Sequence, residues 1–158
     1  MEEKLIEVPP SKSVTAYDLF DRKQIRNLKN FRFRVSVYGI LVQGNKLLVN
    51  RNPMVEKYGV PGGGVKMGEK MVTALKREFK EETGLKIKVD QLIDVSENMF
   101  TLAGEDVHSI LIFYQVKKIS GKLTTNDEDS VEVKFIDLSA IKKRIFQKYC
   151  WTVVKHLK

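Results

Sequence analysis

Four carboxylates and one arginine crowd residues 69–82: Glu69, Arg77, Glu78, Glu81 and Glu82. Glu78, Glu81 and Glu82 stand at i, i+3, i+4 spacing, so a helix brings them to one face. Like charges gathered this way are costly unless a cation sits against them. Carboxylate oxygens suit a hard divalent ion such as Mg²⁺ or Mn²⁺. The plainer reading is a solvated helix face laced with Lys–Glu pairs. At about 100° per residue, Met71, Val72, Leu75 and Phe79 form an apolar stripe with Lys76 and Lys80 opposite. The three glutamates fall beside the stripe, at the border of core and solvent, and Arg77 lies one turn before Glu81, where it can brace it. That placement favours a cation site over a solvated face. Just upstream, Pro61-Gly62-Gly63-Gly64 reads as a tight turn. Its glycines would let backbone N–H groups approach a phosphate.

These residues need a scaffold, and the chain supplies a pattern for one. Phe31, Phe33, Val35 and Val37 alternate with polar residues, which predicts a strand running on to Val42. Gln43-Gly44-Asn45-Lys46 predicts a hairpin turn, with a return strand over 46–50 and a loop from Asn52-Pro53. A short strand at Gly59-Val60 leads to the glycines, and the acidic helix is expected over 68–83, ended by Gly84 in a left-handed conformation. Further strands are expected over 85–95, reaching toward Met99, then 107–116 and 131–137. A turn over 101–105 and a polar loop over 118–130 separate them. Ser139 is expected to cap a last helix carrying Ile141, Ile145, Tyr149 and Val153. Pro9-Pro10 marks an irregular arm, and Thr15 with Asp18 suggests a short helix over 16–29.

The pattern Gly-x5-Glu-x7-Arg-Glu-U-x-Glu-Glu-x-Gly-U, with U a bulky apolar residue, resembles the box of the Nudix hydrolases, the MutT-like pyrophosphohydrolases. Gly63, Glu69, Arg77, Glu78, Glu81, Glu82 and Gly84 all match its fixed positions. Phe79 departs from it, since a branched aliphatic residue is commoner there, and repacking without lost chemistry is expected. The lead-in Tyr58–Gly64 and the segment 132–138 resemble the family more weakly. The resemblance implies an α/β/α sandwich around a mixed β-sheet, with residues 31–158 as the hydrolase domain and 1–30 as an N-terminal arm or short helical extension. It implies Glu81 and Glu82 as the leading metal ligands, Glu78 close behind, and the Gly63 carbonyl as a further one. Glu69 would orient Arg77 and the helix start. Glu69, Arg77, Glu78, Glu81 and Glu82 form the expected catalytic set, and Gly62, Gly63, Gly64 and Arg51 the phosphate-binding one, Arg51 as a bidentate clamp.

The family's activity is hydrolysis of a nucleoside diphosphate linked to another group, with a small nucleotide as partner. The general base is left open between Glu82 and the loop residues Glu97, Glu105 and Asp127–Asp129. Some members that act on ADP-ribose carry a proline beyond the box, and none follows Pro61 here. The default substrate is therefore a nucleoside triphosphate or similar small nucleotide. Phe33, Tyr38, Tyr58 and Phe113 are candidates for stacking on a base. His108 reads as a partly buried structural residue.

The 158 residues suit one domain, and the apolar share of 42% and charged share of 30% are those of a globular protein. No apolar run is long enough to span a membrane, and the acidic start MEEKLIEVPP lacks a hydrophobic leader. One cysteine, Cys150, excludes an internal disulfide and suits a reducing, cytoplasmic setting. It is expected to be a small core hydrophobe. The net charge of +8 attracts polyanions. It keeps an RNA 5′-end pyrophosphohydrolase in view as an alternative, though nucleic acid is not the favoured partner. A nucleotide-binding regulator without turnover is a further alternative, and an exposed sheet edge would allow a homodimer.

Overall fold

The computed structural model describes residues 12–51, 55–124 and 132–157. Ten strands and two α-helices follow in the order β1 (Ser13–Tyr17), β2 (Lys23–Asn27), β3 (Phe31–Ile40), β4 (Val42–Gln43), β5 (Lys46–Arg51), β6 (Tyr58–Gly59), β7 (Gly62–Gly64), α1 (Met71–Thr83), β8 (Lys86–Leu102), β9 (Glu105–Ser120), β10 (Glu132–Asp137) and α2 (Lys148–Val154). Six strands form a mixed sheet in the order β2-β1-β8-β9-β3-β7. β3 runs parallel to β9 and β1 to β8, while the remaining pairs of that sheet are antiparallel. A smaller antiparallel group joins β10, β5 and β4, with β6 on the other side of β5.

Alternation along the strands sorts side chains into two cores. Leu47 and Val49 of β5 face a cluster with Ile40, Phe113, Ile141, Phe146 and Cys150, whereas Leu48 faces one with Val37, Leu75, Phe79 and Val116. The first cluster is closed by α2 and the turns before it, the second by α1. The α/β/α layering thus follows from strands that are apolar on both faces.

Three local expectations are corrected. Residues 16–29 form no α-helix: β1 and β2 pair as an antiparallel hairpin followed by a 3-10 turn at Leu28–Asn30, and Tyr17 pairs in parallel with Phe100 of β8. The Asp18 carboxylate accepts from the N–H groups of Phe20 and Arg22, which closes a tight turn instead of capping a helix. The last helix is shorter than expected. Ser139 sits in a 3-10 turn over Leu138–Ala140, and α2 begins only at Lys148. A second 3-10 turn follows at Lys143–Ile145, and a bridge between Tyr58 and Phe146, with the Gln147 N–H donating to the Tyr58 carbonyl, holds Phe146 and Gln147 extended before α2. Finally, β8 continues to Leu102, and the turn into β9 is confined to Ala103 and Gly104, both at positive φ (50° and 83°).

Candidate active site

Helix α1 is seated by Ala74, Leu75 and Phe79, each fully buried. Phe79 lies against β3 where Gly39 has no side chain. A Cβ there would come within 2.5 Å of the Phe79 ring. Gly84 ends the helix at φ 74°, its N–H donating to the Lys80 carbonyl. The helix starts at Met71, later than position 68, and Met71 and Val72 are exposed instead of joining the stripe. Lys76 and Lys80 are exposed as expected.

Arg77 organises the acidic edge. Its Nε and Nη2 donate to the two oxygens of Glu69 at 2.9 Å each, its Nη1 to Glu78 at 2.7 Å and to Glu81 at 3.2 Å, and its Nη2 also to the Gly64 carbonyl at 3.2 Å. Glu69 precedes the helix, so its charge is fixed by Arg77 and by the Lys66 N–H at 3.0 Å, and not by the helix dipole. The Arg77 hydrogen bonds, followed by the Lys66 N–H, hold the Glu69 carboxyl down to about 2. The same partners hold the guanidinium firmly charged.

Gly62–Gly64 is not a turn. It is a short strand in antiparallel register with β3, pairing Tyr38 with Gly62, Val37 with Gly63 and Ser36 with Gly64. The Gly39 N–H donates to the Pro61 carbonyl and the Val65 N–H to the Val35 carbonyl. By alternation, Gly63 directs its own N–H and carbonyl toward Val37, while Gly62 and Gly64 face the helix. The glycines serve close approach: a Cβ on Gly63 would lie 2.7–2.9 Å from the Glu78 carboxylate, and one on Gly64 2.6–2.8 Å from the Arg34 guanidinium.

Glu82 is held separately. Its Oε2 accepts from the Gly62 N–H at 2.9 Å and from Asn50 Nδ2 at 3.2 Å. It lines a cleft of about 280 Å³ together with Gly62, Gly63, Arg34, Asn50 and Tyr38. Tyr38 stacks on Phe113 and lies 4.9 Å from the Tyr149 ring. Enclosure of its hydroxyl pushes Tyr38 up to about 12, so it stays a neutral hydrogen-bonding group. The opposite wall comes from the N-terminal hairpin, through Tyr17, Asp18, Leu19 and Asp21, with Asn98 and Phe100 of β8 beside it.

The donor set fits a hard cation: three carboxylates and inward-facing glycine carbonyls, all oxygen. Among the described residues, no three acidic, histidine or cysteine side chains converge on one point as they stand. Arg77 engages Glu78 and Glu81, while Asn50 and Gly62 engage Glu82. An ion would therefore draw Glu78 and Glu81 from the arginine.

Arg51 does not reach this cleft. Its Nη2 pairs with Glu132 at 3.2 Å, which is also held by Lys134. The arginine that does line the cleft is Arg34. Phe33 is 67% exposed and meets His108 edge-on, Tyr58 lies by Phe146, and Phe113 is core, so Tyr38 alone of the four aromatic candidates lines the cleft. Glu97 pairs with partly buried His108 and Glu105 with Arg32, both away from the cleft. Asp127–Asp129 lie outside the described residues. Sequence reasoning missed Arg34, Asn50 and the hairpin. Arg34 reads only as the polar half of an alternating strand, and Asn50 as the end of the next one.

The family model described as the NUDIX domain matches residues 32–152. The ADP-ribose pyrophosphatase of Methanocaldococcus jannaschii is 36% identical over 130 residues, covering 77% of this chain and 74% of the relative. A MutT-like protein of Streptomyces ambofaciens is 29% identical over 116 residues, covering 73% and 71%. The crystal structure of a MutT NUDIX hydrolase from Burkholderia pseudomallei superposes with a TM-score of 0.69 at 21% identity, covering 80% of this chain and 99% of that one.

Proposed function

This chain belongs to the Nudix hydrolase family, whose members act on phosphoanhydride bonds, and on that premise we propose that it hydrolyses a nucleoside diphosphate linked to a second moiety in a divalent-metal-dependent reaction. The observation that carries this reading is the intact acidic edge of α1, with Glu82 anchored by the Gly62 N–H and lining a cleft. All seven fixed box positions are present, which disfavours a regulator without turnover.

Glu78, Glu81 and Glu82 would hold Mg²⁺ or Mn²⁺, joined by the carbonyl of Gly62, which faces the helix where that of Gly63 faces Val37. When bound, such a cation neutralises phosphate oxygens and eases ionisation of the attacking water. The chain's own residues do the rest. Arg34, at the cleft wall beside Gly64, pairs with the phosphate anions that Arg51 cannot reach. Water attacks one phosphorus: a new P–O bond forms, the bridging P–O bond breaks, and the leaving phosphate keeps the electron pair. Glu82, the one box carboxylate lining the cleft, takes the water's proton. Glu69 and Arg77 position the edge without touching substrate.

For the second moiety we favour ribose, linked through its 5-oxygen as in ADP-ribose. The absent proline argues for a nucleoside triphosphate, but the M. jannaschii relative carries the ADP-ribose activity at 36% identity. Tyr17 and Leu19 of the hairpin, with Phe100 paired beside Tyr17, add apolar surface to the cleft lining. A reducing, cytoplasmic setting suits the one buried thiol, and no helix among the described residues is long and apolar enough to cross a membrane. The test is a panel of ADP-ribose, nucleoside triphosphates and nucleotide sugars with Mg²⁺ or Mn²⁺. AMP and ribose 5-phosphate released in equal amounts support the choice. Pyrophosphate released from a triphosphate with a higher kcat/KM replaces it, and no turnover of any substrate refutes the reading.

A further inference from the structure

A second concavity of about 540 Å³ adjoins the cleft. The two share Asp21 and Lys148, and beyond that common rim the second is lined by Lys57, Lys143, Arg144, Phe146 and Trp151. Its charge is one-sided. Lys57 is paired with Asp21, but among the described residues no carboxylate pairs with Lys143 or Arg144, and both are exposed. Lys148 lies 3.2 Å from the centre of the Tyr17 ring, so it links the hairpin to this rim. Trp151 packs on Phe146 and remains partly exposed, leaving a flat aromatic surface beside the cations. The hydrolytic chemistry placed at α1 uses none of these residues.

We propose that this annex binds a phosphate group that a second class of substrate carries in addition to its pyrophosphate, with Lys143 and Arg144 contacting the anion and Trp151 covering the sugar or base attached to it. The inference rests on the nucleotide-hydrolase reading for the identity of the ligand; since ADP-ribose has no phosphate besides its pyrophosphate, it adds nucleotides with a further phosphate as a second substrate class beside the one favoured above. A free phosphomonoester on a ribose and a phosphodiester of a short oligonucleotide share this chemistry. Unpaired exposed cations beside an aromatic face are the combination that recognises either one.

Trp151 is the chain's single tryptophan, so its fluorescence reports on the annex without any turnover. In EDTA, which separates this test from the metal-dependent reaction, the full chain is titrated with AMP, adenosine 3′,5′-bisphosphate and the 5′-phosphorylated dinucleotide pApA. The expected result is a fluorescence change and tighter binding for one or both doubly phosphorylated probes relative to AMP. Whichever probe responds identifies the source as monoester or diester. The variant K143A/R144A is expected to bind that probe about ten-fold more weakly, with AMP affinity unchanged, as suits loss of exposed charge-assisted contacts. The control K142A/K155A removes the same charge from exposed positions outside the annex lining and is expected to change affinity by less than about two-fold. The proposal is overturned if neither probe binds more tightly than AMP, if Trp151 does not respond, or if the control weakens binding as much as K143A/R144A.

Discussion

Replacing Arg77 with lysine keeps the charge of the acidic edge and removes its fork. Arg77 directs three nitrogens at Glu69, Glu78, Glu81 and the Gly64 carbonyl. A lysine ammonium donates from a single point, so it can stay with Glu69 only by releasing Gly64 and Glu78. Each of those two contacts is worth about 1 kcal/mol here, after allowance for partial exposure. The contact to Glu81 adds little, because that side chain is 52% exposed. R77K should therefore lose about 2 kcal/mol, and its melting temperature should fall by about 4–8 °C in a chain of this size. Circular dichroism melts in EDTA measure this, and turnover should fall with it, since Glu78 is no longer held against Gly63. The pH dependence gives a second readout. The Glu69 carboxyl is depressed from 4.5 to about 2, so its contribution is present above pH 4.5 and is lost as pH falls through about 2. In R77K the fork is weaker and the folded-state value rises toward 4.5, so the acid loss still begins near 4.5 but ends at higher pH and is smaller than in wild type. A melt within about 1 °C of wild type, with an unmoved acid limb, would show that the fork is not what organises the edge.

Glu82→Gln should lower kcat by about 10²–10⁴ with an unchanged melt, because it removes one ligand charge and the proposed base. Activity within a few-fold of wild type on every good substrate would remove Glu82 from its role. Gly63→Ala should depress activity while leaving the fold, since its Cβ would come within 2.7–2.9 Å of the Glu78 carboxylate and displace it, and wild-type kcat in that variant would show that Glu78 need not sit there. Cys150 is fully buried and its thiol is pushed up by burial, so Ellman's reagent should fail to react at neutral pH until the chain is unfolded, and rapid labelling of the native protein would contradict the packing.

The parts of this molecule legible in its sequence are those governed by short periods. Glu78, Glu81 and Glu82 share an edge because a helix repeats every 3.6 residues, and Gly84 ends that helix because a left-handed position favours glycine. β5 was legible by its apolar run and the hairpin turn before it. What was not legible depends on partners distant in sequence. Arg51 reads as a cation near the glycines, and Arg34 only as the polar half of a strand. Only the pairing of β5 with β10 turns Arg51 to Glu132, and only the register of β3 with β7 sets Arg34 beside Gly64. The N-terminal hairpin failed for a similar reason. Thr15 and Asp18 carry cap chemistry equally suited to a turn, and the strand edge of β8 decides between them.

The acidic edge also carries its own counter-charge. Four carboxylates along one helix and its entry loop would repel one another in an ion-free chain. Arg77 removes that stress from within, by contacting Glu69, Glu78 and Glu81 together. Cation binding at the proposed ligand set would then be an exchange of partners: the ion would gain Glu78 and Glu81 as the guanidinium gave them up. Its net affinity is the difference between two favourable arrangements, and not the whole attraction of an unpaired cluster. Glu69 stays outside the exchange, because its two bonds to Arg77 and its bond from the Lys66 N–H do not compete with the ion. Glu82 is outside it as well, anchored by Asn50 and Gly62 on a different element. One carboxylate fixed by backbone, one fixed to the arginine and two that can move between cations would allow the edge to take up and release an ion while its helix stays in place.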